Sequence, residues 1–456
     1  MNQKNVDAAV QGELFKRRRS EIPDAERVLT LQEKLYQKAK QERGYKFYVL
    51  YDKMFIPYML RQAWKSVRAN GGAPGVDRVT ISGIETQGVE SYLNELGEEL
   101  RKQIYEPQAV KRVMIPKASG GERPLGIPTV RDRIAQTVCK MILEPIFEAD
   151  FEDSSYGFRP KRSSKDAIGA IKENLKHGKT QVYDADLSKY FDTIPHDKLQ
   201  TALKERITDP RILKVINKWL KVPVWENGKY TSGKGNGCGT PQGGVISPLL
   251  ANIYLHLLDR IVNNAQSLFW KYGVKIVRYA DDFVLMGRTL PVEITDRLKS
   301  LLDRMGLMIN ETKTRQIDAK KDSFNFLGFT IRYDLTLTGG SSMYWNIIPG
   351  KKSEQKIRDK VKDYLRSHGH CSAKDVATGL NAVMRGWLNY FEIKGVSYPA
   401  MSKRRLRGYL YKSLYRYYRR KSQRRCRLYR HNAFEVLSTR FGLIDPTKYA
   451  CQPARL

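Results

Sequence analysis

Apolar residues recur along the chain with two different periods, and each period predicts a different kind of element. Spacings of three and four residues predict helices over 55–67, 84–104, 131–147, 196–206, 210–221 and 291–305. A turn rich in Gly and Pro leads into a strongly apolar helix that starts at Ser247-Pro248. A further apolar stripe over 380–391 is typical of a helix-bundle core.

Alternating apolar and polar positions predict a basic hairpin over 109–127 and a short buried strand over 324–329 at a domain edge. The hairpin carries Lys117 on one arm and Arg123 on the other. Cations at the tip of a hairpin can bind the phosphates of a nucleoside triphosphate. An ordinary basic hairpin remains the alternative for this stretch alone.

Two further alternating stretches carry acidic residues. A strand that starts at residue 180 places Asp184 and Asp186 on one face, and a hairpin over 275–286 carries Asp281 and Asp282 at its tip. Adjacent carboxylates repel each other unless a cation lies between them, and oxygen ligands are those that Mg²⁺ prefers. These stretches therefore predict a divalent metal site, with a solvated turn and a surface strand end as the alternatives.

Composition narrows the range of partners. The 456 residues suffice for two to four domains, and a net charge of +33 implies a polyanionic partner, with nucleic acid first and an anionic membrane second. No apolar run approaches the roughly 20 residues that span a bilayer. The first twenty residues contain no apolar h-region, so we expect no signal peptide, and the five cysteines are scattered without a C-x-x-C pair, which favours reduced thiols in the cytoplasm.

Three basic stretches are candidates for nucleic-acid contact. Residues 1–50 are polar and contain a basic cluster at 16–19, so they form either a solvated arm or a contact surface. The loop over 154–160 carries Arg159, with Arg162 just beyond it, and suits either a phosphate backbone or a purely structural role. Residues 401–430 contain no Asp or Glu and interleave tyrosines with cations, which favours nucleic acid. The candidate cations there are Arg404, Arg405, Arg407, Lys412, Arg416, Arg419 and Arg420.

Seven motifs in this order resemble a reverse transcriptase of the group II intron type, also called an intron-encoded maturase. They are IPKASGGERPLGIPTVRDR (115–133), SYGFRPKRSS (155–164), DADLSKYFDTIPHDKL (184–199), GTPQGGVISPLLANIYL (239–255), YADD (279–282), GLMINETKT (306–314) and FLGF (326–329). In addition, NGGAPGVD (70–77) resembles the family's N-terminal segment, and GLNAVMRGWLNYF (379–391) resembles its maturase, or thumb, segment. The resemblance covers roughly residues 55–430.

The resemblance implies an α+β fold, the right-hand polymerase, with fingers, palm and an α-helical thumb. The implied domains are a basic arm over 1–54, helical or disordered, an extension of the fingers over 55–105, fingers and palm over 106–335, and a thumb or maturase domain over 345–456. Because no cysteine pairs lie near the end of the chain, we expect the family's endonuclease region to be missing.

The resemblance also implies roles for individual residues. Two Mg²⁺ ions, with Mn²⁺ as a substitute, would be held by Asp186, Asp281 and Asp282, with Leu187 as a further metal position and Asp184 as the fallback for Asp186. The two ions would promote the attack of a primer 3′-hydroxyl on the α-phosphate of a dNTP. The implied nucleotide-binding residues are Lys117 and Arg123 on the triphosphate, Phe191 as a gate against the ribose 2′-hydroxyl, Gln242 in the pocket and Lys313 as a proton donor to pyrophosphate.

The implied partners are an RNA template with a DNA primer, group II intron RNA and a DNA target, for a monomer or homodimer in a bacterial or archaeal cytoplasm, without a membrane. Two alternatives stay open. One is a domesticated relative that serves DNA repair, CRISPR adaptation or phage defence. The other is an RNA-binding splicing factor whose polymerase activity is incidental.

Overall fold

A computed structural model describes residues 22–116, 121–231, 237–241, 243–336, 342–421, 428 and 432–450. Lys117 and Gln242 therefore lie outside the described residues, as does the basic cluster at 16–19. The described chain is an α+β fold with three separate sheets, as predicted.

The N-terminal region is helical. It contains helices α1 (Asp24–Gln41), α2 (Pro57–Asn70), α3 (Ile81–Gln87) and α4 (Val89–Arg101), with a 3₁₀ turn at Tyr51–Phe55 between α1 and α2. Helix α1 buries Val28, Leu35 and Ala39 and packs on α2 and on the later helix over Val130–Glu148. Residues 24–41 are therefore helical, one of the two states expected for the arm, but they are not a solvated arm, since an apolar stripe on α1 covers the core.

The single helix predicted over 84–104 is in fact two helices. Gly88 separates α3 from α4 and has a φ of 111°, a left-handed conformation that glycine adopts without steric cost. Leu93, Leu96 and Leu100 then form the buried stripe of α4.

The predicted basic hairpin forms one sheet of the fingers. Strands β1 (Val110–Pro116) and β2 (Glu122–Ile127) pair antiparallel, with Ile115 opposite Arg123. Two strands that the sequence pattern did not predict, β4 (Val224–Glu226) and β5 (Lys229–Thr231), extend this sheet in the order β2-β1-β4-β5. Each is three residues long, too short to show a period.

The palm sheet contains β3 (Gln181–Ala185), β6 (Lys275–Tyr279), β7 (Asp282–Gly287) and β8 (Arg315–Asp318), in the order β6-β7-β3-β8. Every neighbouring pair is antiparallel. The surrounding helices are α5 (Val130–Glu148), α6 (Ser164–Lys176), α7 (Tyr190–Thr193), α8 (His196–Lys204), α9 (Pro210–Leu220), α10 (Ser247–Asn263), α11 (Leu268–Lys271) and α12 (Val292–Met305). Helices α5 and α10 are buried over most of their lengths and form the centre of the main core.

A third sheet leads into the C-terminal helices. The single strand predicted over 324–329 is in fact interrupted by a turn. Leu327 and Gly328, with φ values of 48° and 80°, turn the chain between β9 (Phe324–Phe326) and β10 (Phe329–Leu335). Strand β11 (Met343–Pro349) completes this sheet beside β10. The helical region therefore starts at Lys351, six residues later than the predicted boundary at 345.

The C-terminal region contains α13 (Lys351–Ser367), α14 (Ala373–Phe391), α15 (Ala400–Arg420) and α16 (Ala433–Phe441). The apolar stripe predicted over 380–391 is core: Leu380, Met384 and Leu388 of α14 pack with Leu410 and Leu414 of α15. This bundle corresponds to the predicted α-helical thumb.

Candidate active site

The pairing of the palm strands brings the predicted acidic residues to one end of the sheet. Ala185 of β3 lies opposite Phe283 of β7, so the register places Asp186 opposite Asp282 one step further along. Tyr279 pairs with Asp282 across the β6–β7 hairpin, and Ala280 and Asp281 form its turn. Three carboxylates from two distant stretches therefore meet at this end.

The β6–β7 turn has an unusual backbone that two neighbours hold in place. Ala280 has a φ of 57°, a left-handed conformation that costs a non-glycine residue roughly 1 kcal/mol. Its carbonyl oxygen accepts a hydrogen bond of 2.8 Å from Arg278. Gly157 packs so closely that a Cβ atom at this position would lie 2.3 Å from the Ala280 nitrogen. A side chain at position 157 would therefore displace the turn.

Arg278 is the centre of a buried hydrogen-bond network that the sequence did not reveal. Both it and Asp259 of α10 are fully buried, and the Arg278 Nε lies 2.9 Å from Asp259 Oδ1. Arg278 also donates to Asn252 Oδ1, and the Asn252 amide in turn donates to the Gly157 carbonyl oxygen. The one signal in the sequence is an arginine inside an apolar strand, KIVRY, where a charge requires a partner.

The segment that contains Gly157 is a structural support for the turn. The backbone nitrogen of Tyr156 donates to the Arg278 carbonyl, and the Arg278 nitrogen donates to the Ser154 carbonyl, each at 2.9 Å. The segment thus adds a short parallel pairing to the outer side of β6.

The structure contradicts the predicted nucleic-acid contact of Arg159. Its side chain is 2% exposed, and its guanidinium donates to Glu148 and to the carbonyl oxygens of Phe151, Glu152 and Ser155. A guanidinium whose donors are all engaged inside the protein has none left for a phosphate. Arg162 is partly exposed and pairs with Asp153, so its predicted role stays a prediction.

The carboxylates at the turn lie close enough for the charge of one to raise the pKa of another. Loss of hydration, together with the charges of the neighbouring Asp281, Asp186 and Asp184, raises the pKa of Asp282 to about 6, although part of this residue is exposed to solvent. Burial and the charge of Asp186 also raise the pKa of Asp281. Carboxylates that lie close together raise one another's pKa values when no cation neutralises them, so the raised values indicate a site for a cation.

Asp184 also has a raised pKa, of about 6, mainly because it is buried in the sheet. Its register partner on β8 is Arg315, whose charge opposes the rise. Asp184 lies two residues further into the sheet than Asp186, opposite Val284 of β7, as the alternation predicts.

Asp186 is held by the segment that follows α12. The Lys313 ammonium lies 3.0 Å from Asp186 Oδ2, and the Asn310 nitrogen donates to the Asp186 carbonyl oxygen at 2.7 Å. Leu187 forms a bridge with Ile309. Lys313 therefore contacts a predicted metal-binding carboxylate directly, which its predicted role as a proton donor did not require.

The donor set fits a hard divalent cation in its chemistry. Its members are carboxylates that raise one another's pKa values, and Mg²⁺ prefers such oxygen ligands. With the side chains as placed, no group of three or more His, Cys, Asp or Glu residues within the described parts of the chain is arranged to hold a metal ion. Asp186 Oδ2 lies 3.0 Å from the Lys313 ammonium, so a cation that binds this oxygen would displace the ammonium.

Phe191, the predicted gate residue, is tied to the turn that precedes α10. It sits on the short helix α7, half-buried, with its ring 5.5 Å from that of Tyr190. The Thr240 nitrogen donates to the Phe191 carbonyl oxygen at 2.7 Å, which joins α7 to the glycine-rich turn before Gln242. Arg123 is exposed on β2. The roles of these residues in nucleotide binding stay predictions.

Helix α15 separates its apolar and basic residues onto different faces. Leu406, Leu410, Leu414 and Tyr418 are buried at intervals of four residues. The exposed cations of α15 are Arg404, Arg405, Lys412, Arg416, Arg419 and Arg420. Arg405 pairs with Glu354, and Arg407 pairs with Asp445. None of the other five forms an ion pair with the described residues, so they leave a basic surface open to an anionic partner.

Across the described ranges, no helix has both the length and the apolar content needed to cross a bilayer.

Comparisons with known proteins agree with this geometry. The family model described as reverse transcriptase (RNA-dependent DNA polymerase) matches residues 115–331. The model described as group II intron, maturase-specific domain matches residues 354–433. The first match contains the palm sheet with all three carboxylates, and the second contains α14 and α15.

Individual relatives support the same assignment. Protein YkfC of Escherichia coli is 38% identical over 309 residues, which are 60% of this chain and 80% of that protein. An uncharacterized 91 kDa protein in a cob intron of Schizosaccharomyces pombe is 28% identical over 78% of this chain and 53% of its own length. Group II intron-encoded protein LtrA of Lactococcus lactis is 37% identical over 47% of this chain and 35% of its own length.

The chain thus spans most of the first of these relatives but only about half and a third of the other two. It carries a reverse transcriptase domain followed by a maturase domain, in the order that the motifs predict. The chain belongs to the family of group II intron-encoded reverse transcriptases and maturases.

Proposed function

We propose that this protein copies an RNA template into DNA by extending a DNA primer, and that Asp186, Asp281 and Asp282 are its catalytic carboxylates. The observation that carries the proposal is the register of β3 and β7, which sets Asp186 opposite Asp282 next to the Asp281 turn. Membership of the reverse transcriptase family supports the reaction type. The residue roles are our inference from the geometry.

The three carboxylates, with Leu187 at the adjoining backbone position, would hold two Mg²⁺ ions, or Mn²⁺ in their place. When bound, these ions supply charge stabilisation for phosphoryl transfer. The protein's own contribution is a turn whose position is fixed by Arg278 and Gly157, so that Asp281 and Asp282 need little reorganisation to act.

Lys313 has two roles in this proposal. Without a cation its ammonium neutralises Asp186, at 3.0 Å. When a cation takes its place, the exposed and flexible lysine is released next to the site, where it can donate a proton to the departing pyrophosphate.

The incoming dNTP would lie between the fingers hairpin and α7. Arg123 is exposed on β2, and Lys117 and Gln242, which lie outside the described residues, follow Pro116 and precede Gly243 in the sequence. Phe191 would exclude a ribose 2′-hydroxyl by its bulk. The hydrogen bond between Thr240 and Phe191 supports this placement, because it ties the gate to the turn that carries Gln242.

The basic face of α15 would bind group II intron RNA, so that the same chain assists splicing and retrotransposition into a DNA target. Its five cations that form no ion pair with the described residues support this proposal, because phosphate contacts dominate nucleic-acid affinity. We place the protein in the cytoplasm, as a monomer or homodimer.

Two assays on the purified protein test this function. In the first, an RNA template, a DNA primer, dNTPs and Mg²⁺ should yield cDNA of template length. In the second, intron RNA should splice faster with the protein than without it at moderate salt. Splicing without cDNA synthesis would favour a splicing factor and would contradict the polymerase proposal.

A further inference from the structure

A second basic surface lies at the end of the β6–β7 hairpin opposite to the turn that carries Asp281 and Asp282. It is a groove of about 560 Å³ lined by Lys179, Trp270, Lys271, Tyr272, Lys275 and Arg288, which we call the distal groove. Lys275 begins β6 and Arg288 follows β7, whereas Asp281 and Asp282 lie at the turn. Five strand residues separate the two ends, or about 17 Å.

The charges around the distal groove are almost all positive. Lys179, Lys271, Lys275 and Arg288 form no ion pair with any carboxylate in the described ranges. The nearby acids are already engaged: Glu293 accepts a hydrogen bond from the Tyr272 hydroxyl, and Glu173 faces Lys176 and His177. Burial and the charges of Lys275 and Arg288 lower the pKa of Lys179. An anion in the groove would relieve this repulsion.

Exposed aromatic rings stand among these cations. Trp270 is 46% exposed and Tyr272 is 38% exposed. The local backbone fixes this orientation, because the preceding Phe269 is 1% exposed and anchors α11 in the core. The Lys275 ammonium lies 4.1 Å from the centroid of the Trp270 ring. An aromatic platform and a phosphate-binding cation are thus adjacent.

We propose that the distal groove binds a single-stranded segment of nucleic acid, with a base stacked on Trp270 and phosphates at Lys179, Lys275 and Arg288. Stacking on a side chain requires an unpaired base, so a duplex does not fit this chemistry. An anionic lipid headgroup would use the cations but has no aromatic ring to stack on the exposed Trp270, so this pairing of ring and cations favours a nucleic-acid base. The site goes beyond the proposed polymerase function, because it lies outside the carboxylate cluster and contributes no group to it.

The test uses the full chain and a fluorescein-labelled 12-nucleotide oligouridine RNA, measured by fluorescence anisotropy with an unlabelled primer–template duplex in excess. The variants are Trp270→Ala, Trp270→Phe, and Lys275→Gln combined with Arg288→Gln. The control is Lys204→Gln combined with Lys214→Gln, two exposed cations on α8 and α9 outside the groove. Melting temperatures verify that each variant is folded.

We expect Trp270→Ala to weaken oligouridine binding about fivefold or more, and Trp270→Phe to retain most of it, because a phenyl ring still stacks. The double variant Lys275→Gln/Arg288→Gln should lower the slope of log K against log salt by about 1.4, that is, about 0.7 for each phosphate lost. The control should match the wild type.

Oligouridine binding by folded Trp270→Ala equal to that of the wild type overturns the proposal. So does an equal loss in the Lys204→Gln/Lys214→Gln control. If the groove variants instead lose binding to phosphatidylserine vesicles while keeping the RNA, the surface binds lipid and the proposal is wrong. Because the assay involves no primer extension, a failure of the polymerase proposal would leave this result unaffected.

Discussion

Arg278 and Asp259 form an ion pair that is completely buried and joins strand β6 to helix α10 directly behind the turn of Asp281 and Asp282. The same guanidinium donates to the carbonyl oxygen of Ala280, the left-handed residue of that turn. The backbone that carries the two proposed catalytic carboxylates is therefore positioned by a charge in the core rather than by contacts at the surface.

Replacing Arg278 should destabilise the whole protein. Arg278→Met leaves the Asp259 carboxylate buried without a cation, so we expect the free energy of unfolding to fall by about 3–5 kcal/mol. Denaturant unfolding followed by circular dichroism measures this change. The matched control is Arg297→Met on α12, an exposed arginine that should change stability by less than about 0.5 kcal/mol. Equal stability of the two variants would contradict the positioning role of Arg278.

The ionised carboxylate of Asp282 should lower the free energy of unfolding when no divalent cation is bound. Because its folded pKa is about 6 rather than 3.8, the folded state binds a proton between about pH 4 and 6 that the unfolded state does not. Stability therefore falls as pH rises through this window. Asp282→Asn removes the cost, so without metal it should melt at a higher temperature than the wild type at pH 8, and the difference should shrink towards pH 4.

Addition of Mg²⁺ should reverse this order at pH 8. The ion stabilises the wild type by binding the folded state, and Asp282→Asn should gain much less. The comparison uses melting temperatures measured with EDTA and with about 10 mM Mg²⁺. This concentration is saturating if it lies about a hundredfold above the dissociation constant of the site. Equal stabilisation of both proteins by Mg²⁺ would contradict a metal site at Asp282.

Phe191 provides a test of sugar selection. Phe191→Ala opens space beside α7, so selectivity for dNTPs over ribonucleotides should fall by roughly 10–100-fold. Single-nucleotide incorporation with each substrate gives the ratio of kcat/KM values. Phe191→Tyr keeps the bulk and should keep the selectivity. Unchanged discrimination in the alanine variant would refute the gate assignment.

The basic face of α15 provides a test of RNA binding. Replacing Lys412, Arg416 and Arg419 by Gln removes three exposed charges but leaves the buried leucines of α15 in place. Affinity for intron RNA should fall, and the slope of log K against log salt should decrease by about 2. A control with Gln at Lys204, Lys214 and Arg297 should bind as the wild type does. An equal effect of the two triple variants would indicate a loss of net charge alone.

Much of this architecture follows from local patterns. The alternation around Asp281 and Asp282 predicts the hairpin, and the structure confirms strands at Lys275–Tyr279 and Asp282–Gly287. Helix α5 is likewise predicted to within one residue at each end, because nineteen consecutive residues show a period clearly. Motif order, rather than period, made the family assignment possible.

Sequence patterns failed where the outcome depends on distant partners. Arg159 was predicted to bind nucleic acid because it is a cation in a loop, but its partner Glu148 ends α5, and no local pattern joins the two. The network of Arg278 with Asp259 and Asn252 was missed for the same reason. Strands β4 and β5 were missed because the pairing of β4 with β1 and of β5 with β4, and not their own three-residue sequences, defines them.

The most direct test of the central claim compares primer extension with primer–template binding in Asp281→Asn. The substitution keeps the size of the side chain and removes the charge, so extension should fall by about 10³-fold or more while the dissociation constant of the RNA template with its DNA primer stays within about twofold. Extension at the wild-type rate, with binding intact, would show that the carboxylate at this turn takes no part in DNA synthesis.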